Sequence, residues 1–366
     1  MEIKAKITGI EYQSKLTNEL KEFDIKDFNI NNLPASSIVK DGSFSFGISK
    51  WVSPKRTRSY PYERIYNTLG NSKKITVIPI IKDEGKRGDR DFIQWDTVSL
   101  MSLLDVFVVF AYYENAEKHA TRENKITNQQ FDNKLVKTKI AEIKNYHSSA
   151  LHWNLKEIEQ SLLELIQKAK FSYNIISKQL GVEFHNEQGI ERFANQFIDG
   201  VKNFMNTSRQ KAQEAQNREM QTIQPKEALS TLTKAIITIE NYLGGKYYFT
   251  TDEIRIESKN IYLIEGKHSK NALLPSNGDI KDGLLKMILY TNLKEVKVDG
   301  IEYKPIPVIK LTSTKLEGSI LSSDNPDKID DFISNQDFST KQKTVIKNLF
   351  AEAKENYFLI NIEKAE

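Results

Sequence analysis

Residues 246–267 constrain the chain most. The run KYYFTTDEIRIES (246–258) is rich in aromatic and β-branched residues, and IYLIEGK (261–267) is a second such run. Strands favour these types because they pack well on a pleated, half-buried surface. Between the runs stand Lys259 and Asn260, and Asn tolerates the positive φ that a two-residue turn needs. The spacing predicts a β-hairpin turning at Lys259-Asn260.

That turn fixes a register. Ser258 then pairs with Ile261, and Asp252 lies opposite Lys267. Glu265 and Lys267 are two apart, so alternation puts them on one face. Asp252 and Glu265 become diagonal neighbours on that face, close enough to share an ion, while Glu253 points to the other. Two carboxylates so close repel each other unless a cation neutralises them. Oxygen ligands of this kind suit Mg²⁺, which keeps several of its waters. Such an ion makes a bound water more acidic and stabilises charge on a phosphoryl group. Lys267, beside them, is placed to orient or deprotonate a nucleophile and to screen developing charge.

The flanks supply an order of elements. KEALSTLTKAIITIENYL (226–243) spaces Leu229, Leu232, Ile236, Ile239 and Leu243 as a helix stripe, and Gly244-Gly245 follows as a stop. After the hairpin come a helix from about Ile280 to Leu293, a strand at 304–314 and a helix at 340–358. Upstream, GSFSFGISKW (42–51) and ITVIPII (75–81) read as strands. Residues 97–115 read as a largely apolar helix, and 128–220 as further helices. The parts are then a basic region at 1–97, a mainly helical region at 98–224, and a unit at 225–366.

Composition narrows the chemistry. The 366 residues include no cysteine, which removes disulfides, thiolate metal sites and cysteine nucleophiles. No Walker loop, G-x-G-x-x-G or G-x-S-x-G occurs, so neither a nucleotide-driven motor nor a hydrolase elbow is indicated. No secretory signal or membrane span is visible, and a soluble cytoplasmic protein is expected. Net charge is +4. Residues 40–95 hold 12 Lys or Arg against 6 Asp or Glu, a local +6, which leaves −2 for the rest (4 minus 6). Lys55, Arg56 and Arg58 lie among prolines and tyrosines, and Lys86, Arg87 and Arg90 follow in a glycine-containing loop. A cluster of this kind is a candidate DNA contact, since Arg clamps phosphate or reads guanine.

On Asp252, the apolar lead-in and IEGK (264–267), the chain resembles the PD-(D/E)XK nuclease superfamily, and restriction endonucleases in particular. The resemblance covers roughly 90 residues, 226–314. Asp252 follows Thr251, so the Pro-Asp dipeptide of the nominal motif is absent. The resemblance implies an α/β mixed-sheet core embedded in a larger chain with a helical insertion or second domain. It implies Asp252, Glu265 and the carbonyl of Gly266 as ligands of Mg²⁺, with Lys267 as the catalytic lysine. Glu240 fits the acid that members carry on the first helix. Lys281 and Lys286 are both candidates for a polar residue on the second helix that faces the site. The function implied is Mg²⁺-dependent cleavage of double-stranded DNA by a Type II site-specific endonuclease, expected as a homodimer. The alternatives are a repair or mobile-element nuclease on the same core, or a DNA-binding protein without catalysis. A rival acidic cluster is offered by Asp89, Asp91 and Asp96, and Asp83, Glu84 and Lys86 repeat E-x-K in a glycine-containing charged loop.

Overall fold

The computed structural model describes residues 2–17, 19–55, 61–198, 200, 202–210, 214, 235–241 and 246–365. The chain is mixed α/β and divides into two units, residues 1–18 with 212–366, and residues 19–211. This differs from a division at 97 and 224. The first strand, Glu2–Ile7, alternates exposed and buried positions and pairs parallel with Ala235–Asn241, so the amino terminus belongs to the carboxyl-terminal unit.

That unit runs β1 (Glu2–Ile7), β2 (Ala235–Asn241), β3 (Lys246–Thr251), β4 (Glu253–Glu257), β5 (Asn260–Ser269), α1 (Asn277–Tyr290), β6 (Lys294–Val298), β7 (Ile301–Glu302), β8 (Lys304–Ser313), β9 (Ser319–Leu321), α2 (Pro326–Ser334), α3 (Thr340–Glu355) and β10 (Leu359–Lys364). One sheet has the order β3-β2-β1-β6-β7, the other β4-β5-β8-β10-β9. In the second sheet β5, β8 and β10 are parallel, and β4 and β9 run antiparallel at its edges. Leu263, Ile264 and Glu265 are buried in succession on β5, as happens when a strand is covered on both faces.

The stretch 226–243, expected as a helix, contains β2 instead, and 226–234 and 242–245 lie outside the described residues. Ala235, Ile237 and Ile239 are buried in alternation. The same Ile-Ile-Thr-Ile run carries a period of two as well as one near 3.6, and its β-branched residues favour the strand. The expected strand 246–258 is broken at Asp252, where the chain leaves one sheet and enters the other.

The hairpin turns one residue earlier than its sequence predicts. Glu257 pairs with Asn260, and Ser258-Lys259 make the turn, with Ser258 at φ 56°. Continued, that register sets Asp252 opposite Glu265 rather than Lys267. The face survives, because moving a two-residue turn by one residue moves every partner by two, the side-chain period of a strand.

In the other unit a sheet joins Glu22–Asp24, Ser36–Asp41, Phe44–Lys50, Lys73–Pro79 and Val106–Ala111. The helix expected over 97–115 spans only Trp95–Leu103. Asp105 takes φ 52°, and Val106–Ala111 is a wholly buried strand paired with Lys73–Pro79. A buried strand and a buried helix look alike in periodicity, so VFVVF had to be settled by its β-branched content. The helical middle also holds the strands Tyr113–Lys118 and Ile126–Phe131, before the helices Asn133–Lys144, Ala150–Gln160, Leu162–Leu180 and Gln188–Ala194. Among the described residues no helix is long and apolar enough to cross a membrane.

Candidate active site

The site grows from β5 and α1. Alternation along β5 turns Glu265 and Lys267 to one face. Glu265 is almost wholly buried, at 2% exposure. A carboxylate there needs partners, and it has two. Lys267 Nζ lies 3.0 Å from Oε1, and Lys286 Nζ lies 2.6 Å from Oε2. Lys267 also donates to Asp282 Oδ2 at 2.8 Å, and Lys286 to the Thr250 carbonyl at 3.3 Å.

Helix α1 starts at Ser276, whose hydroxyl accepts from the Asp279 N–H. From Ile280 onward it is buried on most sides, so its charged residues must find partners inside. Asp282 and Lys286 are four apart, on neighbouring turns of one face, and both reach β5. Gly283 lies between them in sequence. A Cβ there would stand 3.3 Å from Lys267 Cε, so the absent side chain lets the helix close over the lysine stem.

Asp252 occupies the bend between β3 and β4. Its Oδ2 accepts the Gly266 N–H at 2.9 Å, and the Thr251 hydroxyl donates to the Ile264 carbonyl at 2.8 Å. β4 no longer pairs with β5 at this point, so the carboxylate takes a backbone donor that the edge would otherwise leave open. Asp252 thus reaches the segment of β5 that carries Glu265, and both carboxylates act on the Lys286 charge. Burial disfavours the Lys267 cation, but Glu265 and Asp282 outweigh it and raise its pKa above 10.5. Lys286 is raised as well, against burial, mainly by Glu265.

The sequence-predicted residues Asp252, Glu265, Gly266 and Lys267 therefore come together. Of the two helix candidates Lys286 faces Glu265, while Lys281 is wholly buried elsewhere on α1. Asp282 escaped the sequence reading. Its spacing of four from Lys286 reads as an ordinary solvated helix pair, and only the apolar surroundings of α1 signal otherwise. Glu240 is not brought in. It lies exposed on β2, a strand and not a helix, and pairs with Lys246 at the end of β3 remote from Asp252, about 20 Å along the strand.

Among the described residues no three His, Asp or Glu side chains are arranged to hold a metal ion. Two carboxylates and an adjoining carbonyl nonetheless fit a hard divalent cation that keeps most of its waters. Counting Asp252, Glu265 and Asp282 against Lys267 and Lys286, the cluster carries −1 (−3 plus 2). A cation is the charge it lacks.

The predicted DNA contacts lie in the other unit. Lys55 pairs with buried Asp91 at 2.8 Å, and Asp91 also accepts from the Ser53 hydroxyl. Arg90 donates to the Asn186 carbonyl at 2.7 Å and lies over the Phe92 ring. Its guanidinium fills the space where a side chain on Gly189 would go. Lys86 pairs with Glu183 on the surface, and Arg87 is exposed. Arg56 and Arg58 lie outside the described residues. The rival acidic residues do not converge: Asp83 meets His185 at 2.8 Å, Asp91 meets Lys55 and Ser53, and Asp89 is exposed. No family model, curated protein or solved structure matches the chain.

Proposed function

We propose that the chain is a metal-dependent deoxyribonuclease of the PD-(D/E)XK kind, cutting double-stranded DNA at specific sites as a Type II restriction endonuclease does, in the cytoplasm. One observation carries the reading. A buried Glu265 and a half-buried Lys267 project from an inner strand whose next amide, Gly266, is bound by the carboxylate of Asp252. A buried acid–lysine pair beside a second acid serves chemistry better than stability, because burying charge is costly.

Mg²⁺ held there would supply a Lewis acid toward the scissile phosphate and a more acidic water. Asp252, Glu265 and the Gly266 carbonyl are the groups that would hold it. Lys267 has the pKa of a persistent cation, not of a base poised near neutrality, so its proposed part is to screen negative charge on the phosphoryl group. Asp282 fixes where that cation stands. Of the sequence-predicted DNA contacts that the structure describes, Lys86 and Arg87 are the exposed ones, Lys86 beside Glu183. Cutting both strands with one site per chain favours a homodimer.

The test is incubation of long unmethylated duplex DNA with Mg²⁺ and the wild-type, Glu265→Gln or Lys267→Met protein. Discrete fragments from the wild type alone support the reading. Random, Mg²⁺-dependent breakage lost in both variants would move it toward a repair or mobile-element nuclease. DNA binding without cleavage in all three would leave a binding protein.

A further inference from the structure

A second charged cluster lies in the 19–211 unit, outside the groups used above. Lys82 and Glu84 are two apart in the extended segment from Ile81, so alternation turns them to one side and Asp83 to the other. The Ile126 N–H donates to the Glu84 carbonyl at 2.9 Å, which draws Lys125 alongside. Lys82 Nζ and Lys125 Nζ then stand 2.8 and 2.9 Å from the two Glu84 oxygens. All three side chains are recessed, with exposures of 16, 17 and 19%.

These residues line a recess of about 440 Å³ together with His119, Asn128, Gln129 and Tyr113. That volume falls in the range of small-ligand sites, about 300–1,000 Å³. The cluster carries +1, two ammoniums against one carboxylate. Burial pushes the Glu84 carboxyl up, but the hydrogen bonds and charges of Lys82 and Lys125 prevail and hold it near 2, so the three charges persist at neutral pH. An ammonium has three N–H donors and gives one to Glu84, which leaves two on each lysine. His119 adds another donor. Its Nδ1 accepts the N–H groups of Thr121 and Arg122, both at 3.2 Å, so the neutral ring bears its hydrogen on Nε2.

We propose that this recess is a phosphate-binding site, with Lys82 and Lys125 as the gripping cations and His119 Nε2 as a further donor. Glu84 holds the two ammoniums in fixed positions, so little side-chain freedom remains to be lost when the anion arrives. The phosphate comes from one of two sources, a free mononucleotide that fills the recess or a backbone phosphate of DNA laid across its mouth.

The test measures binding to the full chain, without metal, of inorganic phosphate and dAMP by calorimetry and of a labelled duplex by anisotropy. Lys125→Gln should weaken phosphate about tenfold, and Lys82→Gln with Lys125→Gln should abolish it, as loss of charged donors implies. Glu84→Gln removes the competing carboxylate and should tighten phosphate several-fold. If Lys125→Gln does not fold by circular dichroism, Lys125→Arg should retain binding and Glu84→Gln still reports. dAMP binding that is lost in Lys125→Gln identifies a free nucleotide. Duplex affinity that falls in Lys125→Gln, with dAMP bound no better than phosphate, identifies the backbone. Equal affinities for wild type and all variants overturn the proposal. Cleavage is not read in either arm, so failure here leaves the nuclease reading standing.

Discussion

Both units hold a carboxylate between two lysines, and the two are built for opposite charges. Glu265 is gripped by Lys267 and Lys286, and Glu84 by Lys82 and Lys125, at 2.6–3.0 Å in each case. What differs is the next shell. Asp252 and Asp282 stand beside the first trio and turn its +1 into −1, whereas Lys82, Glu84 and Lys125 by themselves carry +1. Depth differs too, since Glu265 is 2% exposed and the Glu84 side chain 19%. The core of the motif is therefore uninformative about function. The acids around it decide whether a cation or an anion is wanted.

The sharpest break between the two follows from removing the central acid. Glu265→Ala leaves two half-buried lysines with one acid fewer, and should cost about 3–5 kcal/mol of stability in that unit. Glu265→Gln keeps the volume and should fold better, yet cleave at least about 1,000-fold more slowly. Thermal unfolding and single-turnover cleavage separate the two effects. Activity retained in Glu265→Gln would remove Glu265 from the chemistry.

At Glu84 the effect is smaller and depends on pH. Its folded pKa, about 2, lies below the ordinary 4.5. Its stabilisation is therefore complete above pH 4.5 and is lost as pH falls from 4.5 toward 2. Allowing for partial solvent access, the loss is on the order of 2 kcal/mol. Urea unfolding of the wild type should weaken across that window relative to Glu84→Gln. Parallel curves would mean that the two lysines do not hold the carboxylate.

The contrast also bears on what a sequence discloses. That the Asp252 carboxylate reaches the part of β5 that carries Glu265 was legible from the hairpin. Where the hairpin turns was not, since that depends on Ser258 taking φ 56°. Glu240 was misread because Ala235–Asn241 satisfies two periods at once, and the pairing with β1, more than 200 residues away, selects the strand. Lys286 was a candidate from the sequence, but Asp282 was missed, because a spacing of four from Lys286 is also that of a solvated helix pair and only β5 brings Asp282 to Lys267. The Glu84 trio was hidden for a related reason. Lys82 is near it in sequence, but Lys125 arrives only through the hydrogen bond between Ile126 and Glu84. Local patterns give faces; distant pairings give partners.

A subtler change tests the charge argument itself. Lys286→Gln takes the active-site cluster from −1 to −2 while Lys267 still holds Glu265. More negative charge among the ligands should tighten Mg²⁺ or Mn²⁺ binding about tenfold without DNA, even as cleavage falls. Calorimetric titration in the absence of DNA reads this directly. Weaker metal binding would show that Lys286 orders the ligands instead of competing with the ion.

The smallest expected effect concerns Gly283. Alanine in a helix interior is favoured over glycine by about 0.5–1 kcal/mol, so Gly283→Ala should leave α1 as stable or slightly more so. Its Cβ would stand 3.3 Å from Lys267 Cε, tight enough to displace the lysine by a few tenths of an ångström. The stem is flexible, but its ammonium is held by Glu265 and Asp282 and cannot retreat without lengthening one of those contacts. Cleavage should therefore fall a few-fold while the melting temperature holds or rises, because catalysis depends on position more steeply than folding does. Full activity with a raised melting temperature would mean that the exact placement of Lys267 matters little. A lowered melting temperature with lost activity would mean that the helix itself was forced away from β5.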